Sequence, residues 1–367
     1  MKNHNTLLSR RRFLQAGATL AFASADASPQ TSLLQRKYRI NGNMVIPPFV
    51  GDPLTDELKT QFHQTGLTAF KLSLGGSNGN YEQCLEILRS LPQIYQANPD
   101  TFMHINSLRD LERAYDDDKI GIIYSFETAT MFDDKVERIQ EFANLGVRIM
   151  QPGYNNSNAF GAGVLSKSKP FGLTKLGKQA IETMQDNHVL VDLSHAHEET
   201  ANDILNMARR PVAITHAGCN AVNDHPRNKS DSVLKRVADS GGVVGIYEMS
   251  YLTPDLDQQS LDAFMQHVMH AVKVCGEDHV GIGSDTPILG FDTSAESLAE
   301  WDEINHIRKE TGVAAPGEGP PPYVVGMNGP HKMDVFADEL RARGLSDRAV
   351  NKILGINFSR VFQDAWA

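Results

Sequence analysis

The sequence predicts an α/β protein, a TIM-like (β/α)8 barrel with a helical extension at its C-terminus. Short apolar runs rich in β-branched residues recur along the chain, and the segments between them carry apolar residues at helical spacing. Strands that alternate with helices pair in parallel, because a parallel pair needs a crossover connection and is buried on both faces. The chain holds eight such runs, the number that closes a barrel, and a doubly wound open sheet is the alternative.

The predicted elements follow one another along the chain from residue 39 onward. The strands are placed at residues 39–46, 67–74, 120–126, 147–151, 189–193, 212–215, 243–247 and 280–284. The helices between them are placed at residues 55–65, 81–96, 107–116, 134–144, 174–187, 198–209, 230–239 and 261–275, with closing helices at 331–343 and 347–354.

Two long stretches between these elements are predicted loops. Residues 152–169 are rich in Gly, Asn and Ser and follow the fourth strand on the side where the strands end. Residues 314–329 contain several prolines, which exclude a regular helix or strand. The second loop is interpreted either as a surface connector or as a lid or dimer contact, since long irregular loops are often functional.

The N-terminus predicts an export signal rather than part of the fold. Arg10, Arg11 and Arg12 precede a Phe-Leu pair and an apolar run, and small residues at 23–25 offer a cleavage site. Residues 1–25 are therefore predicted to be a twin-arginine-type signal, residues 26–38 a linker and residues 39–367 a single barrel domain. The predicted location is the periplasm or another exported location. No later segment has the roughly 20 apolar residues of a membrane span, so no transmembrane anchor is predicted.

Composition and charge narrow the class of protein further. Apolar content of 41% and charged content of 22% are ordinary for a globular protein. The net charge of −10, with no basic stripe beyond the N-terminus, argues against nucleic acid as a partner. Cys84, Cys219 and Cys275 are too few and too widely spaced for a disulfide framework, and buried free thiols are predicted. A single disulfide stays open as the alternative.

Residues with ligand chemistry follow four of the predicted strands. Glu127 follows the third, His195 the fifth, His216 the sixth and Asp285 the eighth. The carboxyl ends of barrel strands meet at one face, so these side chains are expected to converge. Two histidines and a glutamate with an open fourth position are the ligand set of mononuclear hydrolytic zinc sites. Asp285 is predicted to act as base and acid, or as a further ligand. The alternative is that each is a hydrogen-bonding, capping or ion-pairing group.

Several linked motifs resemble the membrane (renal-type) dipeptidases, metallopeptidase family M19. They are DLSH, PVAITHAGCNAVNDHPRN, GGVVGIYEM, EDHVGIGSD and the terminal GINFSRVF, and the resemblance covers residues 39 to 366. It implies a TIM-like barrel and a homodimer. It also implies that His195 and His216 bind metal, that Glu127 is the bridging glutamate and that Asp285 is the catalytic aspartate.

The resemblance further implies how a substrate is held. Arg227, in HPRN, matches the family arginine that binds the terminal carboxylate of the substrate, a role that suits the bidentate guanidinium group. Tyr154, in GYNNSN, lies where many members have a substrate-contacting histidine. Tyr154 and the adjacent Asn155 are therefore predicted to contact the substrate.

One departure from the family pattern affects the metal centre. The first strand of the family ends in a His-x-Asp pair that binds the first of two zinc ions, and here Asn43 and Val45 stand in those places. Valine cannot bind a metal, and asparagine is a poor zinc ligand. The spacing of Asp52 and His63 does not support either as a substitute. The sequence therefore predicts one zinc ion per chain in place of two.

Together these observations predict a metal-dependent hydrolase that cleaves a dipeptide or a dipeptide-like small amide with metal-activated water. Two alternatives remain at this point. One is a binding or maturation protein with a degenerate metal site, because a fold does not fix a function. The other is a hydrolase of a lactone or a cyclic amide. The joint presence of five site residues argues against a purely structural role, which needs none of them; they are Glu127, His195, His216, Arg227 and Asp285.

Overall fold

The computed structural model describes residues 36–47, 51–166, 171–254 and 258–367. The predicted signal at 1–25 and most of the predicted linker at 26–38 lie outside these residues, so both stay predictions. Within the described ranges, no helix combines the length and the apolar character needed to cross a bilayer.

A parallel sheet forms a nearly closed barrel, which confirms the predicted fold class. The strands are β1 Ile40–Val45, β2 Ala69–Leu74, β3 Phe102–His104, β4 Ile120–Phe126, β5 Val147–Met150, β6 Leu190–Val191, β7 Ala213–Ala217, β8 Val243–Ile246, β9 Val280–Ile282 and β10 Thr286–Pro287. They are ordered β6-β5-β4-β2-β1-β9-β8-β7. A parallel bridge between Asp192 and Ala213 joins the two ends of this order. All eight predicted strands are present, and the short β3 and β10, which were not predicted, pair with β4 and β1.

Helices surround the sheet, and most begin at a polar residue that caps them. They are α1 Asp56–Gln64, α2 Tyr81–Ser90, α3 Pro92–Ala97, α4 Leu108–Asp116, α5 Glu137–Asn144, α6 Lys175–Asp186, α7 Glu198–Met207, α8 Asp231–Asp239, α9 Leu261–Cys275, α10 Ala295–Glu310, α11 Lys332–Ala342, α12 Asp347–Asn351 and α13 Asn357–Trp366. The side chains of Thr174, Ser230 and Ser260 each accept a hydrogen bond from a backbone N–H in the first turn. Such caps satisfy donors that the helix itself leaves unpaired.

Helix α10 was not predicted, and its exposure explains why. Among its residues only Asn305 is fully buried, while Ile304 and Ile307 are 46% and 49% exposed. The apolar residues therefore do not mark one buried face, which is the signal that periodicity detects. The Ser294 cap was the remaining local signal in the sequence.

The C-terminal helix α13, also not predicted, seals the end of the barrel opposite the site. Phe358 packs among the buried first residues of the strands, including Ile40 and Ala69. A Cβ atom at Gly42 would lie 2.5 Å from the Phe358 ring, so this strand position has to be glycine. With this end filled, the accessible face is the one where the strands end, as in other barrels.

The three cysteines are buried free thiols, as the sequence predicted. Cys84 belongs to α2 and Cys275 to α9, while Cys219 follows β7. Burial raises the pKa of each thiol. They are therefore protonated at neutral pH and pack as small apolar side chains.

Candidate metal centre and active site

The predicted metal ligands come together at the carboxyl ends of the strands. Glu127 follows β4, His195 follows β6 and His216 lies within β7. One ligand atom from each side chain lies within 4.8 Å of the others, and all three residues are buried. The register of β7 against β8 shifts between Ile214 and Ala217, and this irregularity includes His216. Such shifts re-aim side chains beside active sites.

Hydrogen bonds at the Nδ1 atoms fix the tautomer of both histidines. His195 Nδ1 lies 2.7 Å from the side-chain oxygen of Asn155, whose amide nitrogen donates to the carbonyl of Val313. An amide oxygen only accepts, so His195 Nδ1 carries the proton. His216 Nδ1 lies 3.0 Å from Thr215 Oγ1, and the Thr215 hydroxyl donates to Asp192 at 2.5 Å. His216 Nδ1 must therefore be the donor as well.

The two Nε2 atoms are consequently both acceptors, and they face each other at 3.0 Å. Burial lowers the pKa of His195 well below its ordinary value and that of His216 to about 3. Both rings are therefore neutral at physiological pH, which is the form in which imidazole binds a metal. Arg227 donates to only one of these lone pairs, and a divalent cation between the rings would pair with both, so the donor set favours a metal position.

Asp192 holds the residues that precede the two histidines, and the sequence analysis did not select it. It is fully buried, and its Oδ1 accepts hydrogen bonds from the backbone N–H groups of Ser194 and Thr215. Its Oδ2 accepts from the Thr215 hydroxyl and from Gln151. This carboxylate joins the ends of β6 and β7 and orients His216 through Thr215. Support of this kind usually strengthens metal binding. An acidic residue directly after an apolar strand was the available signal.

On the opposite side, Glu127 is held by residues of β1 and β2. Its Oε1 accepts from Asn43 Nδ2 at 2.8 Å and from Lys71 Nζ at 3.2 Å, and Ser73 Oγ lies 2.6 Å away. Burial by itself would raise the pKa of Glu127, but the charge of Lys71 and the hydrogen bonds from Ser73 and Lys71 outweigh it and lower the pKa. Glu127 is therefore an anion at neutral pH. Lys71 was not selected from sequence, although a lysine inside the apolar run AFKLSL was a signal.

Asp285 lies beside this group with the properties of a proton carrier. Its Oδ1 accepts from Asn43 Nδ2 at 2.8 Å, so one amide group joins Asp285 to Glu127. Burial and the nearby charge of Glu127 raise the pKa of Asp285. Its φ of 60° is in the left-handed region, which is sparsely populated for residues other than glycine. Strain of this type is common at active sites.

Arg227 and Tyr154 border the two histidines. Arg227 is 2% exposed and donates to the carbonyl of Ser194 at 2.6 Å and to His195 Nε2 at 3.2 Å. The ring of Tyr154 stacks on His195 with 4.1 Å between centroids. Asn155 orients His195 and also contacts Val313, as described above. The structure thus places all three predicted substrate-binding residues at the site, and their contacts with a substrate remain predictions.

Glu318, in the second predicted loop, is linked to this site through Arg308 of helix α10. Arg308 donates to the Tyr154 hydroxyl at 3.2 Å and pairs with Glu318, which is 4% exposed. Glu318 also accepts from the Tyr251 hydroxyl at 2.6 Å. Residues 313–318 therefore lie against the residues around the histidines, and the lid interpretation stays a prediction. The prolines of this stretch predicted the loop, but no pattern in the sequence indicated these partners.

The candidate substitutes for the missing His-x-Asp pair do not reach the centre. Asp52 and His63 are both exposed, and His63 lies 3.8 Å from Asp118 on the surface. Within the described ranges, Glu127, His195 and His216 form the single group of three or more such residues able to hold an ion. Two neutral imidazoles and one buried carboxylate fit one divalent ion with an open position.

The fold and this centre together define a metal-dependent hydrolase of the barrel type. A model of the membrane dipeptidase family, peptidase family M19, matches residues 4–300. The chain therefore belongs to the M19 family, which confirms the resemblance found in the sequence.

The chain is also similar to individual known proteins and solved structures. An uncharacterized protein from the region 5′ of pqqA in Klebsiella pneumoniae is 29% identical over 269 residues, which are 71% of this chain and 88% of that protein. An amidohydrolase from Pseudomonas aeruginosa superposes with a TM-score of 0.77 at 26% identity, over 92% of this chain and 99% of the other. A metallopeptidase from Rhodobacter sphaeroides, bound to a phosphinate mimic of the dipeptide L-Ala-D-Ala, gives a TM-score of 0.70 at 17% identity, over 90% of this chain and 100% of that one.

Proposed function

We propose that this chain is a one-metal hydrolase that cleaves a dipeptide or a dipeptide-like small amide with water activated at the metal. The observation that carries the proposal is the pair of histidine Nε2 acceptors at 3.0 Å, with both Nδ1 protons committed to other partners. The anionic Glu127 supplies the third ligand. Zinc is the ion that most often takes this donor set, and iron and manganese share it.

The metal and the protein side chains divide the chemistry. When bound, a divalent ion supplies Lewis acidity and lowers the pKa of a coordinated water to about 7. Asp285, whose pKa is raised, takes the proton of the attacking water and delivers it to the leaving amine. A carboxyl group that exchanges its proton near neutral pH can do both within one turnover.

The cationic and aromatic groups around the ligands indicate which kind of substrate the site suits. The buried guanidinium of Arg227 lies beside His195 and is placed to pair with a substrate carboxylate. Tyr154 and the loop at 313–318 lie on the same side of the site. A short substrate with a free terminal carboxylate suits this arrangement. We also propose that the protein works in the periplasm, on the basis of the twin-arginine-type sequence at residues 1–25.

The experiment combines metal removal with a substrate panel. Protein purified without added metal is analysed by elemental mass spectrometry and assayed on L,L and L,D dipeptides, with L-Ala-D-Ala included. We expect cleavage that a chelator abolishes and zinc restores, because the ligands alone provide no activated water. A lactone and a cyclic amide in the same panel test the alternative hydrolytic reactions.

A pair of histidine variants controls the assignment of the ligands. His216→Ala should lose metal and activity together, by roughly a thousandfold in kcat/KM, since it removes one of three ligands. His270→Ala is the matched control, because His270 pairs with Asp231 at 2.7 Å on the outer helices and should leave both unchanged. Absence of metal from the wild-type protein, with no cleavage after zinc is added, would overturn the proposal.

A further inference from the structure

Lys71 is a buried cation inside the candidate active site that is neither a proposed metal ligand nor a proposed contact of the substrate. Its side chain is 0% exposed, and it lies on β2 between Phe70 and Leu72. A lysine is almost never fully buried unless its charge is compensated, because removal of the ammonium group from water is costly. Its partners therefore indicate why it is there.

The ammonium group is surrounded by oxygen atoms from β1, from β2 and from Glu127, which follows β4. Lys71 Nζ lies 3.0 Å from Asn43 Oδ1, 3.1 Å from Ser73 Oγ and 3.2 Å from Glu127 Oε1. Asp192 Oδ2 lies 3.9 Å away, so a second carboxylate also faces the ammonium group. An ammonium group has three N–H donors, and three oxygens accept them here.

The same Glu127 oxygen faces the metal position on its other side. Glu127 Oε1 lies 3.5 Å from His216 Nε2 and 3.2 Å from Lys71 Nζ. One carboxylate oxygen is thus placed between two positions that favour positive charge. One position is lined by imidazole nitrogens, and the other already contains the ammonium group.

We propose that the Lys71 ammonium group is a resident cation that fills a second cation position of this centre and limits the protein to one bound metal ion. The inference rests on the proposed one-metal hydrolase and extends it, because it assigns a positioning role to a residue outside the ligand set. Lys71 fixes Glu127 from the side opposite the histidines and repels a second ion. It acts through Glu127 and Asn43 and does not contact the substrate.

The chemistry of the surrounding atoms makes the proposal testable by substitution. Without the ammonium group, the oxygens of Asn43, Ser73 and Glu127 would line a position of the kind that a hard divalent ion such as Mn²⁺ prefers. An added carboxylate at residue 43 should make such a position strong enough to hold the ion. In the double variant Lys71→Ala with Asn43→Asp, a divalent ion that exchanges with solvent should therefore take the place of the ammonium group.

The experiment counts Mn²⁺ bound to the full chain by elemental mass spectrometry after gel filtration, together with electron paramagnetic resonance. We expect one ion in the wild type, one in Asn43→Asp alone, and two spin-coupled ions in the double variant. Two ions in Asn43→Asp, with Lys71 retained, would overturn the inference, and so would a single ion in a folded double variant. No ion in the wild type would instead contradict the proposed metal centre itself.

A second measurement keeps the test independent of the double variant and its folding. Lys71→Gln removes the charge and keeps a hydrogen-bond donor, so the remaining ion should bind about tenfold or more tightly once the nearby positive charge is gone. The matched control is Lys332→Gln, because Lys332 is also buried but donates to Glu248 at 2.6 Å and to Thr286 at 2.9 Å, and not to Glu127. It should leave the affinity unchanged. Equal or weaker binding in Lys71→Gln would mean that Lys71 has only a structural role.

Discussion

The two sides of the active site surround one carboxylate in opposite ways. The histidine half consists of His195 and His216 with their supports Asp192, Thr215 and Asn155, and it presents acceptor atoms 3.0 Å apart. The lysine half consists of Asn43, Lys71 and Ser73, and it presents donors to the same Glu127 oxygen.

This difference shows how a buried anion can be stabilised by two distinct means. The histidine half is incomplete without a cation, because its Nδ1 protons are committed elsewhere and its Nε2 lone pairs converge. The lysine half is complete in itself, because a covalently attached ammonium group satisfies the oxygens around it. We expect substitutions in the two halves to affect different measured quantities.

The largest effect is expected from Asp285→Asn. This variant tests whether Asp285, which is bound to Asn43 of the lysine half, transfers the proton during hydrolysis. Asn43 holds Asp285 by a 2.8 Å hydrogen bond, and the substitution keeps the shape but removes the proton-accepting group. We expect kcat to fall by about 10²–10⁴-fold, the usual contribution of general acid–base catalysis. Metal content should be unchanged. Loss of the metal in this variant would show instead that Asp285 is a ligand.

The next effect concerns Arg227, which borders the histidine half. Arg227→Lys keeps the charge but loses the bidentate geometry that suits a carboxylate. We expect KM for a dipeptide to rise by roughly tenfold to a hundredfold, in line with one or two lost charge-assisted contacts. A dipeptide amide, which lacks the carboxylate, serves as the control and should show the same KM with both proteins. An equal rise for both substrates would contradict a carboxylate-binding role.

A matched pair of hydroxyl deletions compares the two halves directly. Thr215→Val removes the acceptor for His216 Nδ1, whereas Ser73→Ala removes the hydroxyl group that lies 2.6 Å from Glu127. We expect the first to weaken metal binding by about 10–100-fold, as loss of a supporting hydrogen bond usually does. The second should change metal affinity much less, because Lys71 and Asn43 still hold Glu127. Titration with a fluorescent zinc chelator measures both, and the reverse order of effects would contradict the comparison.

The last prediction concerns stability rather than activity or metal binding, at His267, a buried histidine that belongs to neither half. Burial lowers its pKa to about 4, and its Nδ1 accepts from the backbone N–H of Cys219. The unfolded chain, with an ordinary histidine pKa near 6.5, binds the proton more strongly. Its contribution of about 3 kcal/mol to the free energy of unfolding is therefore complete above pH 6.5 and is lost as the pH falls toward 4.

The test of that pH dependence compares how steeply the free energy of unfolding changes with pH in two proteins. Denaturant unfolding of the wild type and of His267→Gln is measured between pH 4 and 6.5, the window set by the two pKa values. The wild type should lose stability faster as the pH falls, because the other buried histidines titrate equally in both proteins. Parallel pH profiles would show that His267 does not contribute in this way.

Much of this architecture could be predicted from the order of apolar runs and from the residues that follow them. Glu127, His195 and His216 stand directly after or at the end of buried strands, and parallel strands bring such positions together. Helix α10 could not be predicted, because Ile304 and Ile307 face solvent and no buried stripe exists.

The lysine half shows a different limit of sequence reasoning. The loss of the His-x-Asp pair was visible at Asn43 and Val45, but the residue that compensates for it lies on another strand, at Lys71. A lysine in an apolar run indicates burial, but only the pairing of β1 with β2 and of β2 with β4 brings its ammonium group to Glu127. Likewise, Arg308 contacts Tyr154 although the two residues are 154 positions apart in the chain.

The most direct test of the central claim is a crystal structure of the zinc-loaded protein with an anomalous difference map recorded at the zinc edge. The account predicts one peak at about 2.0–2.2 Å from His195 Nε2, His216 Nε2 and a Glu127 oxygen. The Lys71 ammonium group should remain against Asn43 and Glu127, as it does here. A second peak on the Asn43 side, with Lys71 displaced, would contradict the account, and so would the absence of a peak at the histidines.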